Sequence, residues 1–291
     1  MLNFIINPTA GGKRGKKMLQ CVSLLENRLR ERNVEYSFHY SRNKGDATKL
    51  TAELIASGVD NVVAVGGDGT LHEVINGFSN FDKVALGIIP CGTGNDFANV
   101  LNLPLDPVKA LDIILDNTPK FTDFMQMPTV RGLNIIGMGI DVEVLKRYER
   151  LKKKTKFSYT SSLIKTLFKF KCIEFDSNFN DSKNKHLSFI AGVANGRVFG
   201  GGLPLCPIAD PADGKLDFVV VDAMNKLKII GAFIKLKKGT LLSLKQAHHY
   251  TTDKIEVVSQ APYTVNVDGE LYENIPFKVE VVTNTLRIYR V

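Results

Sequence analysis

The pattern of apolar and polar positions divides the chain into two parts. Up to about residue 127, short apolar runs alternate with stretches whose apolar residues recur every three or four positions. The runs at 62–65 and 84–89 are typical of buried strands in a parallel sheet, and the stretches around them have the period of helices. This β-α-β order predicts a doubly wound α/β domain over residues 1–127.

After residue 127, strand-like runs follow one another with few helices between them. The predicted strands are Val130–Gly139, Cys172–Phe179, Leu187–Ala194, Leu216–Val221, Ile255–Ser259, Tyr263–Val267 and Lys278–Val282. This density predicts a β-sandwich or another β-rich domain over residues 128–282. We expect the last strand, within about 283–291, to return to the sheet of the first domain.

Two glycine-rich loops follow neighbouring strands of the first domain. They contain Gly66, Gly67, Asp68, Gly69 and Thr70 in one loop and Gly92, Thr93, Gly94, Asn95 and Asp96 in the other. Glycine lets backbone N–H groups approach phosphate oxygens closely, and ligands of α/β sheets bind at this edge. Asp68 and Asp96 supply the oxygen ligands that Mg²⁺ prefers. The pair predicts a nucleotide site, although either loop alone also fits a plain turn with Asn95 or Asp96 as an N-cap.

A third loop follows the first strand. It contains Asn7, Pro8, Gly11, Gly12 and Lys13 and lacks the spacing of a Walker A motif. Lys13 is the candidate cation for neutralising phosphate. The alternative is an ordinary surface lysine.

The positive charge is concentrated in two segments. The whole chain has a net charge of +8, whereas Lys146–Lys171 carries ten Lys or Arg and one Glu, and Lys226–Lys245 carries six Lys and no acid. Apolar residues alternate with these lysines, as in basic amphipathic helices that lie on anionic membranes. The alternative is a helix whose apolar stripe packs on its own domain. Nucleic acid would also attract this charge, but no recognition motif supports it.

The cysteines and the apolar runs indicate a cytoplasmic protein. Cys21, Cys91, Cys172 and Cys206 are scattered and form no CxxC pair, so we expect reduced thiols rather than a zinc or redox motif. The pair His248-His249 has no spaced partners and predicts no site. No apolar run reaches the roughly 18 residues of a membrane span, and the apolar start is too short for a signal peptide.

Together these motifs resemble the diacylglycerol kinase catalytic-domain superfamily, in its bacterial soluble lipid-kinase branch. The matching pieces are Asn7-Pro8 with Gly11-Gly12-Lys13, Gly66–Thr70 with Glu73 and Asn76-Gly77, Pro90 with Gly92–Ala98, Asp210–Asp217 and Val267–Glu270. The Gly66–Thr70 piece is shared with NAD kinases, and similar loops occur in phosphofructokinases. The piece around Gly92–Asp96 points to the lipid kinases. The resemblance implies an NAD kinase/phosphofructokinase-like nucleotide-binding domain followed by a β-sandwich domain.

The resemblance also implies an activity. It predicts an ATP-dependent lipid kinase of phospholipid biosynthesis that uses Mg²⁺ and transfers the γ-phosphate to a lipid hydroxyl, with diacylglycerol as the leading acceptor. The alternatives are an NAD kinase-like enzyme with a soluble substrate and a catalytically silent membrane- or lipid-binding regulator. Dimers are common in the family, so a homodimer is allowed, and peripheral association with an anionic membrane is expected.

The resemblance assigns roles to residues by position. Glu270 matches the proton acceptor and Asp268 the other acid discussed for that role, although their Asp-Gly step alone predicts only a hairpin turn. Ser41 matches a neighbour of the nucleotide, and Asp123 an acid linked through water to the active-site Mg²⁺. A second Mg²⁺ is implied at the side chains of Asp210 and Asp213 and the backbone carbonyl of Lys215, in a segment that otherwise reads as a solvated turn.

Overall fold

A computed structural model of the protein describes residues 1–11, 16–150, 166, 170–261 and 263–291. The chain divides into two compact units, one of residues 1–123 with 283–291 and one of residues 124–282. The boundary lies a few residues before the predicted position at 127, because Phe124–Gln126 form a strand that pairs with the sheet of the second unit.

The first unit is built on a mostly parallel sheet. Its strands, numbered along the chain, are β1 (Leu2–Ile6), β2 (Tyr36–Tyr40), β3 (Asn61–Gly66), β4 (Ala85–Pro90), β5 (Pro119–Phe121) and β19 (Arg287–Tyr289). They lie in the order β2-β1-β3-β4-β19-β5, and only the pairing of β19 with β5 is antiparallel. The carboxyl ends of β1, β3 and β4 therefore lie side by side at one edge.

Helices cover both faces of this sheet. They are α1 (Lys16–Glu31), α2 (Asp46–Ala56), α3 (Asp68–Gly77), α4 (Asp96–Val100) and α5 (Pro107–Asp116). Helices α1 and α5 pack together over a core that includes Phe4, Leu25 and Val63, whereas α2 and α3 pack against each other. Alternate residues of the central strands thus pack into cores on opposite faces of the sheet. These strands are apolar throughout because both of their faces are buried.

The second unit contains a long antiparallel sheet. Its strands are β6 (Phe124–Gln126), β7 (Arg131–Gly132), β8 (Ile135–Gly139), β9 (Ile173–Phe179), β10 (Ser182–Ala194), β11 (Val198–Phe199), β12 (Leu203–Pro204), β13 (Leu216–Asp222), β14 (Ala247–Thr252), β15 (Lys254–Val258), β16 (Thr264–Val267), β17 (Glu270–Glu273) and β18 (Phe277–Val282). The main path is β17-β16-β8-β10-β9-β15-β18-β6-β7, while β13 pairs with β10 and β14, and β11 pairs with β12.

This sheet curls around one core. Strand β10 pairs with β9 over its first half and with β8 and β13 over its second half, and its register shifts between Ser188 and Ile190. Such a bulge bends a strand and lets it serve two layers. Phe175 on β9, Phe218 on β13 and Phe277 on β18 are buried in the same cluster.

The second unit also includes the helices α6 (Ile140–Glu149) and α7 (Lys226–Lys237) and the short 3-10 turn Leu241–Ser243. In α7, Ile229, Ala232 and Leu236 are buried in a second cluster, while Ile230 and Ile234 are exposed. The packed stripe predicted as one alternative is therefore present in this basic segment, and apolar side chains remain outside it.

Most of the other basic segment, at 151–165 and 167–169, lies outside the described residues. Among the helices that are described, none combines the length and hydropathy that a bilayer crossing requires.

The strand prediction is wrong in several details, including the missed strand β17. The run Val130–Gly139 is not one strand, because it is interrupted at 133–134 by contacts from a distant loop. Strand β14 was missed because its sequence, Ala-His-His-Tyr-Thr-Thr, lacks the apolar alternation of a half-buried strand.

Candidate active site

One carboxylate joins the two glycine-rich loops of the first unit. Asp68 occupies the first turn of α3. Its Oδ2 accepts the backbone N–H of Asn95 at 2.8 Å, and its Oδ1 accepts the N–H of Asp96 at 2.7 Å. Bonds from backbone N–H groups to a carboxylate are charge-assisted and strong. Asp68 therefore fixes the start of α4 relative to the start of α3.

The same two loops touch through glycines. A Cβ atom added to Gly92 would lie 2.4 Å from the Cα of Gly67, and one added to Gly94 would lie 2.8 Å from Oδ2 of Asp68. Real Cβ atoms do not approach other atoms this closely, so larger residues would push the loops apart. Asn95, with a φ of 56°, turns the chain and accepts the N–H of Gly92 at its side-chain oxygen.

The third loop is tied to the first by side chains. Asn7 donates from Nδ2 to Oγ1 of Thr70 at 3.1 Å, and its Oδ1 accepts the backbone N–H of Thr9. Thr70 is buried, and its side chain fills the space that a Cβ on Gly66 would occupy. Thr70 thus links the first and the third loop. Gly12 and Lys13 lie outside the described residues.

Most of the other predicted nucleotide residues lie at this edge, whereas Asp123 follows the antiparallel strand β5, whose end pairs with the start of β19. Gly69 and Thr93 are exposed, and Pro8 and Gly11 lie in the turn after β1. Ser41 is buried beside the end of β1, and Asp96 is buried at the start of α4. Asp123 is buried between β5 and β6. The Ser41 backbone donates to the carbonyl of Ile6, which anchors the end of β2.

A pair of cysteines lies beneath the second loop. The sulfur atoms of Cys21 and Cys91 are 2.9 Å apart, and both side chains are buried. The hydrogen bond to Cys91, together with burial, raises the pKa of Cys21, whereas the same bond lowers the pKa of Cys91. These thiols fill the core under the loop, as expected of small apolar side chains.

In the second unit, Asp268 holds a break between two strands. It lies in the hairpin between β16 and β17 with a φ of 52°. Its carboxylate accepts the N–H of Leu133 at 2.5 Å and the N–H groups of Asn134 and Ile135 at 2.9 Å each. Those bonds separate β7 from β8. Glu270, the first residue of β17, is half-buried.

The acidic segment at 210–217 forms local turns. Asp210 accepts the N–H of Ala212 at 3.2 Å, and Asp213 accepts the N–H of Lys215 at 2.9 Å. Both bonds are typical of Asp-initiated turns. They keep the two carboxylates and the Lys215 backbone within one short loop.

Sequence reasoning missed one buried acid, Asp141. It is only 3% exposed, lies in the first turn of α6 and accepts Nδ2 of Asn266 at 3.1 Å. Burial raises the pKa of Asp141 to about 6. The sequence does contain a signal for Asp141, because this single acid follows the apolar strand Ile135–Gly139. The prediction of a β-sandwich took no account of it.

The close contact of the glycine loops predicts a stability effect. We expect Gly92→Ala to lower the unfolding free energy of the first unit by about 1–3 kcal/mol, because the added methyl overpacks the loops. Gly231→Ala is the matched control, since nothing lies within 4 Å of its added Cβ and helix α7 should gain about 0.5–1 kcal/mol. Thermal unfolding measures both. An unchanged midpoint for Gly92→Ala would contradict the contact.

The comparisons with known proteins cover both units. Residues 1–127 match the family model for the diacylglycerol kinase catalytic domain, and residues 134–290 match that for the YegS C-terminal NAD kinase beta sandwich-like domain. Among solved structures, a diacylglycerol kinase from Bacillus anthracis str. Sterne covers 100% of this chain and 96% of its own, with a TM-score of 0.73 and 22% identity. An NAD kinase from Archaeoglobus fulgidus in complex with ATP has a TM-score of 0.55 and 15% identity, with 99% and 92% covered. At these identities the likeness concerns the fold.

Curated relatives extend the match along the sequence. A "Probable lipid kinase YegS-like" of Xanthomonas oryzae pv. oryzae (strain MAFF 311018) is 31% identical over 274 residues, which are 90% of this chain and 88% of the relative. A "Diacylglycerol kinase" of Staphylococcus saprophyticus subsp. saprophyticus is 29% identical over 94% of this chain and 89% of its own length. The chain therefore belongs to the diacylglycerol kinase catalytic-domain superfamily.

Proposed function

We propose that the protein is an ATP-dependent lipid kinase. It transfers the γ-phosphate of MgATP to the hydroxyl of a lipid, and diacylglycerol, giving phosphatidic acid, is the leading acceptor. Membership of the superfamily supports kinase chemistry and nucleotide binding, and the names of the relatives support a lipid acceptor.

The observation that carries the choice of a lipid is an apolar cavity in the second unit. Its volume is about 40 Å³, and it is lined by Ile140, Asp141, Phe189, Ile190, Phe199, Leu205, Val221, Ile229, Ala232, Phe233, Leu236 and Leu241. A soluble nucleotide would leave its polar groups unsatisfied against such a wall, whereas an acyl chain would not.

Asp141 is the polar side chain in the lining of this cavity. Its Oδ1 has no hydrogen-bond partner of good geometry among the described residues, while Oδ2 accepts from Asn266. A lipid hydroxyl can donate to a buried carboxylate of this kind. Asn266 in turn accepts the N–H of Gly269 at 2.9 Å, next to Glu270. Two hydrogen bonds thus connect the cavity wall with the hairpin that carries the candidate proton acceptor.

The first unit supplies the nucleotide side of the proposal. The loops around Gly66–Thr70 and Gly92–Asp96 would cradle the phosphates, with Asn7, Ser41 and Lys13 nearby. Asp68, Asp96 and Asp123 would hold Mg²⁺, since carboxylate oxygens are its preferred ligands and the absent Cβ of Gly94 leaves room beside Asp68. Bound Mg²⁺ neutralises charge that develops on the phosphate oxygens.

We assign different roles to the two acids of the hairpin. Three backbone N–H groups occupy the carboxylate of Asp268, so this residue positions the hairpin. Glu270 would accept the proton of the lipid hydroxyl as the phosphoryl group is transferred. The second Mg²⁺ would bind at Asp210, Asp213 and the carbonyl of Lys215, in a loop remote in sequence from the hairpin, and would serve the structure of the second unit.

The proton-acceptor assignment predicts a separation between activity and stability. We expect Glu270→Gln to lower kcat by about 10²–10⁴-fold with an unchanged unfolding midpoint, since only a base is lost. Asp268→Asn should lower the midpoint, because one acceptor oxygen is replaced by an amide that cannot accept N–H bonds. Labelled ATP with a panel of diacylglycerol, sphingoid base, phosphatidylglycerol and polyprenol measures kcat.

The panel includes controls for the proposed function. Asp68→Ala should abolish transfer to every lipid, and NAD serves as the soluble acceptor. Full activity of both Glu270→Gln and Asp68→Ala would overturn the mechanism. Turnover of NAD without turnover of any lipid would overturn the lipid assignment.

The cavity predicts a chain-length effect. Ala232→Phe places a ring in the cavity, so we expect KM for long-chain diacylglycerol to rise at least tenfold while kcat for a short-chain analogue stays the same. Ile234→Phe, on the exposed side of α7, is the matched control. Equal KM values for the two variants would show that the cavity does not hold the acceptor.

We also propose that α7 brings the protein to an anionic membrane. Ile230 and Ile234 are 43% and 49% exposed and lie one turn apart, and Lys228, Lys237 and Lys238 are exposed on the same helix. Exposed apolar side chains flanked by lysines are the elements of interfacial helices, and each lysine near an anionic surface adds about 1 kcal/mol. The opposite side of α7 lines the apolar cavity.

Vesicle binding tests this surface. The double variant Ile230→Ser/Ile234→Ser should bind phosphatidylglycerol–phosphatidylcholine vesicles at least tenfold more weakly, and added salt should weaken binding of the unchanged protein. Val258→Ser is the matched control, because Val258 is similarly exposed on the β15 strand. Equal losses in both variants, or no binding of the unchanged protein, would contradict the proposal.

A further inference from the structure

A thiol, a carboxylate and an imidazole lie close together in the second unit. A ligand atom from each of Cys206, Asp217 and His249 lies within 4.8 Å of the other two. Cys206 follows β12, Asp217 lies on β13 and His249 on β14, so the cluster joins three separate elements. It is the one group of this kind found among the described residues.

The sheet register explains why two of these residues meet. Asp217 pairs with Thr251, and His249 pairs with Val219, so the two side chains are diagonal neighbours on one face. Nε2 of His249 lies 2.6 Å from Oδ1 of Asp217. The carboxylate is 10% exposed and the imidazole 27%, so the pair has one solvent-facing side.

Cys206 completes the group from the buried side. Its side chain is 0% exposed, and its sulfur lies within 4.8 Å of the ligand atoms of Asp217 and His249.

We propose that Cys206, Asp217 and His249 form a zinc site. One sulfur, one nitrogen and one oxygen donor are a set that Zn²⁺ accepts and that Mg²⁺ does not prefer. Ligand atoms around tetrahedral Zn²⁺ lie about 3.3–3.7 Å apart, so small side-chain rotations close this triad. The metal replaces the Asp217–His249 hydrogen bond and the proton of Cys206, and water takes the fourth position.

The site would hold the turn after β12 against the sheet. That turn carries Leu205, which lines the apolar cavity, and Cys206, which lies in the same buried cluster as α7. Zinc would therefore stabilise the wall of the cavity. This metal is distinct from the hard-ligand site proposed at Asp210 and Asp213, whose carboxylates accept turn N–H groups instead.

Metal binding is measured on the full chain, freed of any affinity tag and treated with a chelator, without lipid or ATP. We expect one Co²⁺ per chain with a sulfur-to-cobalt charge-transfer band, displacement of Co²⁺ by Zn²⁺, and a higher unfolding midpoint with Zn²⁺. Cys206→Ser should abolish the band. His249→Gln, at a partly exposed position, should weaken Zn²⁺ binding at least tenfold and keeps the test valid if Cys206→Ser fails to fold.

The chain offers a matched control for this triad. His248 lies next to His249 and pairs with Asp222 at 2.7 Å, but no cysteine lies beside that pair in the described metal-binding groups. His248→Gln and Cys172→Ser should leave Co²⁺ and Zn²⁺ binding unchanged. No charge-transfer band in the unchanged chain, or equal Zn²⁺ affinity of His249→Gln and His248→Gln, would overturn the proposal.

Discussion

The nucleotide side of this protein depends on the carboxylate of Asp68. Its two oxygens accept the N–H groups of Asn95 and Asp96, which binds the start of α3 to the start of α4. The contact between Gly67 and Gly92 is possible only while this link holds the two loops together. The bond from Asn7 to Thr70 adds the loop after β1. Three strand ends thus become one preorganised surface, and preorganised N–H groups are what phosphoryl transfer requires of a protein.

In the second unit, a carboxylate again fixes the backbone by accepting N–H groups. The carboxylate of Asp268 accepts three backbone N–H groups, interrupts a strand and fixes the hairpin that begins β17. From that hairpin, Gly269 and Asn266 lead to Asp141 at the wall of the apolar cavity. A buried carboxylate in an apolar wall is costly, and this cost is the reason that we propose Asp141 as the contact for a lipid hydroxyl.

Much of the fold could be predicted from the sequence. The α/β first part and the β-rich second part are confirmed by the family models and the solved structures. The helix and strand periods are local properties of the chain, so the sequence displays them. Glycines such as Gly67 and Gly92 are also visible in the sequence, because larger residues there would keep the two loops from touching. The same holds for Gly77, where a Cβ would lie 2.3 Å from the carbonyl of Thr48 between α2 and α3.

The rest depends on contacts between residues far apart in sequence. The break at 133–134 is made by Asp268, and no local pattern announces it. Asp141 acquires its chemistry from burial and from its contact with Asn266 of β16, and His249 from the register of β14 on β13. The roles of Asp123, Asp210 and Asp213 came from resemblance alone and stay predictions, as does Lys13, which lies outside the described residues.

We propose above all that this chain phosphorylates a lipid, and one competition experiment tests this proposal directly. The protein receives ATP labelled at the γ-phosphate together with equal amounts of diacylglycerol, in mixed micelles, and NAD. We predict that the label appears in phosphatidic acid and that none appears in NADP, because the acceptor cavity that we propose is lined almost entirely by apolar side chains. Label in NADP and none in any lipid product would contradict the account.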